Sequence, residues 1–284
     1  MHQSDFILTL SCPDRRGIVH KVSGVLLAHE GNIIDAQQFG DEETGQFFLR
    51  VHFSVPDAAV IQSITSDFAE LAQTFQMQWH LHDAKKQARL LILVSRQGHC
   101  LNDLLYRIRS GQLAVQAVAI VSNHRDFEAM AQAYGIAFHH MPITADNKAE
   151  QEKALLDLIE RENIDLVVLA RYMQILSESL CRSLAGRAIN IHHSFLPSFK
   201  GARPYYQAHA RGVKIIGATA HYVTADLDEG PIIEQDIERV DHAMSAKDLT
   251  QVGSDIESLV LARAVRAHIE HRVLINGSRT VVFR

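Results

Sequence analysis

Three short, uninterrupted apolar runs limit what this 284-residue chain can fold into: Leu90-Leu91-Ile92-Leu93-Val94, Val115 to Val121, and Leu166-Val167-Val168-Leu169-Ala170. A strand with one wet face alternates polar and apolar residues, whereas a strand covered on both faces reads as a continuous apolar run. Helical stretches near residues 125–134 and 148–162 separate the runs. Strands alternating with helices predict an α/β unit, a doubly wound and mostly parallel sheet, over residues 89–284. In such a sheet ligands bind outside the carboxyl ends of the strands, so the chemistry is expected there.

Residues 1–83 follow a different rhythm. Phe6, Leu8 and Leu10 alternate as in a half-buried strand, and Asp14-Arg15-Arg16-Gly17 turns the chain into a helical face of Ile18, Val19, Val22, Val25 and Leu26. Gly31-Asn32 stops that helix, and Ile33 opens a second strand. Asp41 to Gly45 is turn chemistry before a third strand that alternates at Phe47, Leu49, Val51 and Phe53. Val60, Ile61, Ile64, Phe68, Leu71 and Phe75 make a second amphipathic helix, and Met77, Trp79 and Leu81 a fourth strand. The order is βαββαβ, the ferredoxin-like unit. Asp14 is expected to cap the first helix. Residues 84–88 are a polar linker. Near the other end, Leu249, Val252, Ile256, Leu259 and Val260 give a core helix over 247–271, and Asn276-Gly277 a terminal hairpin.

Composition excludes several classes of function. The net charge is −5 and no Lys/Arg run occurs, which argues against nucleic acid as a partner. No apolar run approaches the roughly 20 residues that span a bilayer. The first residues, Met1-His2-Gln3-Ser4-Asp5, lack a secretory pattern, so a cytoplasmic protein without membrane partners is expected. Cys12, Cys100 and Cys181 are widely spaced and read as reduced thiols. Seventeen His residues invite a metal reading, but neighbours such as His139-His140 and His192-His193 point to opposite strand faces, and no H-E-x-x-H or C-x-x-C accompanies them. No metal is expected. The first strand-to-helix turn of the larger unit, Ser95-Arg96-Gln97-Gly98-His99-Cys100, has one glycine and neither G-x-G-x-x-G nor G-K-[ST]. A dinucleotide or nucleotide cofactor is not expected there.

Two stretches combine polar residues with strand pattern. Asn190 and His192 lie two apart and so share a strand face; Gly217 to Val223 forms a strand carrying His221, and it enters the acidic turn Asp226-Leu227-Asp228-Glu229-Gly230-Pro231. Singly, each residue has a structural reading: a strand-end amide, a core histidine, a turn aspartate. Together on adjoining strand ends they suit attack on a carbonyl. Asn190 can donate to an oxyanion, a contact worth about 3–4 kcal/mol. His192 can polarise the same oxygen or move a proton. Asp228 can hold a water or receive its proton. No Ser or Cys stands where an acyl-enzyme requires one.

These segments also resemble known families. Cys12-Pro13-Asp14-Arg15-Arg16-Gly17-Ile18-Val19, with Asn32-Ile33, resembles an ACT domain. That resemblance implies an amino-acid effector near Asp14, Gly17 and Asn32, or a dimerisation module without a ligand, and a homo-oligomer paired through sheet edges. Asn190-Ile191-His192, Ser194, Leu196-Pro197, His221-Tyr222-Val223 and Leu227-Asp228-x-Gly230-Pro231 resemble the folate-dependent formyltransferases. The resemblance makes Asn190, His192 and Asp228 the catalytic trio and His221 its support. It makes Leu169 to Leu176, with Tyr172, Met173, Gln174, Ile175 and Leu176, the lining of the pterin pocket, and it places Val223 and Thr224 on the far side.

An ACT-like domain ahead of this fold resembles the deformylase branch of that family. Glycinamide ribonucleotide formyltransferases carry a G-N-G-S-N-type first turn and an Arg where Gln174 stands; this chain has neither. The implied reaction is hydrolysis of 10-formyltetrahydrofolate to formate and tetrahydrofolate. It would balance the one-carbon folate pool and supply formate for purine synthesis, with folate as substrate and no cofactor. In it Asp228 positions and deprotonates water, directly or through His192. Transfer of the formyl group to an amine acceptor is the alternative.

Overall fold

The computed structural model describes residues 4–193 and 204–284. Its contacts divide the chain into two units: residues 1–86 with 270–276 and 281–284, and residues 87–269 with 277–280.

The first unit contains β1 (Ser4–Pro13), α1 (Ile18–Ala28), β2 (Asn32–Asp41), β3 (Gln46–Val55), α2 (Ile61–Phe75) and β4 (Gln78–Asp83). The sheet order is β2-β3-β1-β4, antiparallel throughout. The expected alternation puts Phe6, Leu8, Leu10 and Cys12 beside Leu49, Val51 and Phe53, and these pack on Ile18, Val22, Leu26, Ile64 and Phe68. Two local expectations fail. Val19 is 46% exposed, because the buried stripe of α1 runs through Ile18, Val22 and Leu26 at spacings of four. Asp14 does not cap α1: Gly17 is the N-cap, at φ 90°, and no side chain completes the cap. The β2–β3 turn closes as its chemistry demands, with Asp41 accepting from the Glu43 amide (3.1 Å) and the Thr44 hydroxyl (2.9 Å), and Gly45 at φ 65°. The end of the chain packs within this unit. Arg50 donates to the Glu270 carbonyl at 3.0 and 3.2 Å, and the His82 ring stacks on His271 at 3.5 Å.

The second unit contains β5 (Ala88–Val94), α3 (His99–Arg109), β6 (Val115–Ser122), α4 (Glu128–Ala133), β7 (Ala137–His140), α5 (Lys148–Arg161), β8 (Leu166–Leu169) and α6 (Glu178–Ser183). β9 (Ala188–His192), α7 (Pro204–Ala210), β10 (Ile215–Tyr222), β11 (Ile232–Arg239) and α8 (Ala246–Ile269) complete it. Toward the end of the chain, β12 (Val273–Asn276) pairs with β13 (Arg279–Val282) as the predicted hairpin. The sheet order is β11-β10-β9-β8-β5-β6-β7, parallel from β9 to β7 and antiparallel at β10 and β11.

Leu90 through Val94 are fully buried, as the continuous apolar run requires. The chain winds one way from β5 to β6 and β7, then the other way to β8 and β9, so the crevice where strand order reverses lies at the carboxyl ends of β5 and β8. Those ends are stitched together: the Ser95 amide donates to the Arg171 carbonyl (3.2 Å), and the Met173 amide to the Ser95 hydroxyl (2.9 Å). Cys12, Cys100 and Cys181 are free and buried. Among the described residues no helix is long and apolar enough to cross a membrane.

Candidate active site

The antiparallel register of β9 and β10 sets Asn190 opposite His221 and His192 opposite Thr219. Cross-strand partners share a face, as do residues two apart, so Asn190, His192 and His221 converge on one side of the sheet. The following turn brings Asp228 over them. Asp228 itself is at φ 59°, in the left-handed region that non-glycine residues rarely adopt. Gly230 is required nearby: a Cβ there would lie 1.7 Å from the Tyr222 carbonyl oxygen and 3.1 Å from His221 Nδ1. The turn can therefore press against β10 only with glycine at this position.

Hydrogen bonds define the site's chemistry. His221 Nδ1 lies 2.9 Å from the Tyr222 carbonyl, which can only accept, so Nδ1 carries the hydrogen. In the neutral ring Nε2 is then a lone pair, and the Asn190 amide nitrogen donates to it at 3.3 Å. This fixes the amide with its nitrogen inward, leaving a second N–H for the cavity. His192 Nδ1 donates to Asp228 at 3.2 Å, which leaves Nε2 for the cavity. Asp228 also approaches His221 Nε2 at 3.7 Å, beyond hydrogen-bonding distance. Burial pushes the Asp228 carboxyl upward, the hydrogen bond from His192 pulls it the other way, and the group is held well below the usual carboxylate range. Asp228 is thus a permanent anion beside His192. The next ring, His193, stacks on His192 at 4.7 Å and lines the same cavity, against the expectation of opposite faces, because β9 ends at His192 and strand alternation stops there. Burial, then Arg171 and His192, lower His193 to about 4, so it is neutral at neutral pH.

These groups line one cavity of about 210 Å³. Its wall includes all the residues assigned to substrate and catalysis from the sequence: Tyr172, Met173, Gln174, Ile175 and Leu176 on the β8 side, Asn190 and His192 on β9, and His221, Val223, Thr224 and Asp228 beyond β10. Ser194, Leu196 and Pro197, which also carried the resemblance, lie outside the described residues. The first unit's candidates do not converge within one chain. Asp14 and Gly17 follow the end of β1, whereas Asn32 pairs with Ser54, which pairs back to Asp5 near the start of β1. At about 3.3 Å per residue that separation is roughly 25 Å.

Sequence reasoning missed a buried polar cluster behind the cavity. Glu257 on α8 is 1% exposed; its carboxylate accepts from His99 Nε2 (2.6 Å) and the Tyr205 hydroxyl (2.7 Å) and faces Arg171 Nε at 3.4 Å. Burial pushes the Glu257 carboxyl up, but His99 and Arg171 prevail and lower it. The available signal was an acidic residue within the apolar stripe of α8, next to Ile256 and three before Val260. His99, Cys100 and Glu257 also place ligand-type atoms within 4.8 Å of one another. The Arg171 guanidinium already supplies the positive charge there, and burial pushes the Cys100 thiol above its ordinary range, away from the thiolate that a metal requires.

Residues 88–265 match the family model for formyl transferases, and residues 6–73 that for the ACT domain. The unit built on this sheet thus belongs to the formyl transferase class. Similarity narrows this further. The formyltetrahydrofolate deformylase of Corynebacterium sp. is 50% identical over 281 residues, covering 98% of each chain. The solved formyltetrahydrofolate deformylase of Burkholderia mallei superposes with a TM-score of 0.96 at 52% identity, over 99% of this chain and 100% of that one. Glycinamide ribonucleotide transformylase 1 of Symbiobacterium toebii gives a TM-score of 0.66 at 30% identity, over 70% of this chain and 95% of its own. The chain belongs to the formyltetrahydrofolate deformylase family.

Proposed function

We propose that this chain hydrolyses 10-formyltetrahydrofolate to formate and tetrahydrofolate, with Asn190, His192 and Asp228 as the catalytic groups. The observation that carries the assignment of roles is the pairing of His192 Nδ1 with a carboxylate held ionised. A carboxylate so reluctant to take a proton is a weak base, so Asp228 orients and charge-balances His192. His192 Nε2 removes a proton from the attacking water, and the resulting imidazolium is stabilised by Asp228. The free N–H of Asn190 stabilises the oxyanion on the former formyl oxygen. Collapse breaks the bond to N10, which takes a proton. His221 acts through Asn190 by orienting its amide.

The cavity lined by Tyr172 to Leu176, Val223 and Thr224 receives the pterin, with the folate as substrate and no separate cofactor. The enzyme works in the cytoplasm, balances one-carbon folates and supplies formate for purine synthesis. The ACT unit binds a small amino acid such as glycine or methionine, and Asp14, Gly17 and Asn32 complete that site only when sheet edges of a homo-oligomer bring separate copies together.

Incubation with 10-formyltetrahydrofolate and no amine acceptor tests the reaction. Stoichiometric formate is expected, and its absence refutes the assignment. Titration calorimetry with amino acids tests the ACT unit, where heat with none of them removes the effector.

A further inference from the structure

A doubly wound sheet opens its ligand crevice where strand order reverses, which here lies between the carboxyl ends of β5 and β8. In this chain described side chains from both edges meet across that crevice. Arg171, leaving β8 at the strained φ of 64°, sends its guanidinium to Gln97 in the turn after β5, donating to Oε1 from Nε at 2.8 Å and from Nη2 at 2.5 Å. Glu257 closes behind it with His99 and Tyr205. Gly98 lets the turn lie under the Phe127 ring: a Cβ there would sit 2.4 Å from that ring. Among the described residues none of 95–99 lines the catalytic cavity, which is displaced toward β9 and β10.

We infer that Gln97, His99, Arg171, Tyr205 and Glu257 form a wall that excludes amine acceptors and leaves water as the nucleophile. The inference rests on the hydrolytic reading above and adds the reason for it. The wall abuts the chemistry, because Arg171 lines the cavity and, with His192, lies close enough to His193 to depress its proton affinity. It is also self-contained. The positive guanidinium and negative carboxylate compensate each other, and both oxygens of Glu257 have donors. The Arg171–Glu257 pair thus offers a second substrate no charge that is not already engaged. Water needs none.

The layers of the wall suggest how to open it. Gln97 is exposed and His99 partly exposed, whereas Arg171 and Glu257 are buried beneath them. Gln97→Ala with His99→Ala removes the outer layer and keeps the inner ion pair. Gly253→Ala acts from below, since its Cβ would lie 2.1 to 2.4 Å from the Tyr205 ring and hydroxyl and must move that side chain off Glu257.

The experiment supplies 10-formyltetrahydrofolate with a concentration series of glycinamide and measures formate and N-formylglycinamide together. In transfer the amine nitrogen bonds to the formyl carbon, the bond to N10 breaks, and the amine's proton ends on N10. Wild type is expected to give formate alone. The double variant should raise the amine-to-water partition about tenfold or more, the scale on which pockets discriminate by size, and Gly253→Ala should shift it in the same direction. Gln97→Ala alone, altered at an exposed side chain, carries the same expectation if the double variant does not fold. Folded variants that still release formate with an unchanged partition overturn the wall. A wild type that releases no formate overturns the hydrolytic reading, and the wall with it.

Discussion

Replacing Asp228 by Asn keeps the shape of the side chain and removes its charge. His192 Nδ1 lies 3.2 Å from the carboxylate, and 26% of the Asp228 side chain is exposed. At that distance an imidazolium–carboxylate attraction amounts to about 5 kcal/mol at an effective dielectric of about 20. Solvent at the exposed edge reduces this, and at 1.36 kcal/mol per decade a loss of about 10³ in kcat is expected. The amide introduces a second fault: its NH₂ can donate to Nδ1 and so favour the tautomer with hydrogen on Nε2, which cannot accept a proton from water. Both effects act on the transition state, so kcat should fall while KM for 10-formyltetrahydrofolate stays within a few-fold. Steady-state formate release over a range of substrate concentrations measures the two separately. A variant that retains more than a tenth of wild-type kcat, or loses activity only through KM, refutes the assigned role of Asp228.

Three further predictions concern other links of the argument. Gly230→Ala should cost both stability and activity, because its Cβ would meet the Tyr222 carbonyl at 1.7 Å and displace His221; urea denaturation and formate release should fall together. His221→Phe keeps bulk but frees the Asn190 amide to rotate, so kcat should drop by about 10²–10³, the scale of one lost oxyanion donor, with folate binding retained in a fluorescence titration. Acid stability should decline early. His82 and His193 are lowered to about 4, in His82 by burial first and then by His80 and Lys86, so the folded state holds them neutral while the unfolded chain protonates them near 6.5. Their contribution is complete above about pH 6.5 and is lost as pH falls toward 4, by at most about 3 kcal/mol apiece and less at the more open His82 site. Urea midpoints between pH 7 and 5 should therefore slope downward, and His82→Asn should flatten the slope. Asp228, held low, adds loss only below the usual carboxylate range.

Much of the fold was legible because burial writes itself into residue order. The run Leu90 to Val94 admitted little besides a central strand, and the alternation of Phe47, Leu49, Val51 and Phe53 a half-covered one. β7 and β11 were not read from sequence. β7 has four residues, two of them His, and β11 alternates weakly at the sheet edge, with Glu234, Asp236 and Glu238 half-buried or exposed. Val19 shows the limit of helical spacing, since an apolar residue beside a buried stripe is not thereby inside it. For the site, Asn190 and His192 were linked by strand period, and Asp228 joined them by its motif. The Nδ1 contact of His221, which fixes the Asn190 amide, depends on a carbonyl at the next residue and has no signature in sequence.

The same distinction separates what the trio can do from what it is allowed to do. An amide, an imidazole and a carboxylate activate a formyl carbon toward any nucleophile that reaches it, so the choice between water and an amine is made outside the trio. Arg171 and Glu257 are 86 residues apart in the chain, and each alone reads as an ordinary charged residue. The packing of α8 against β9 and β10 brings them together, and the side chain of Gln97, from the turn after β5, completes the guanidinium's contacts among the described residues. Acceptor choice is thus a property of packing at the switch point. Substitutions that loosen it should change which product forms before they change how fast the formyl group leaves.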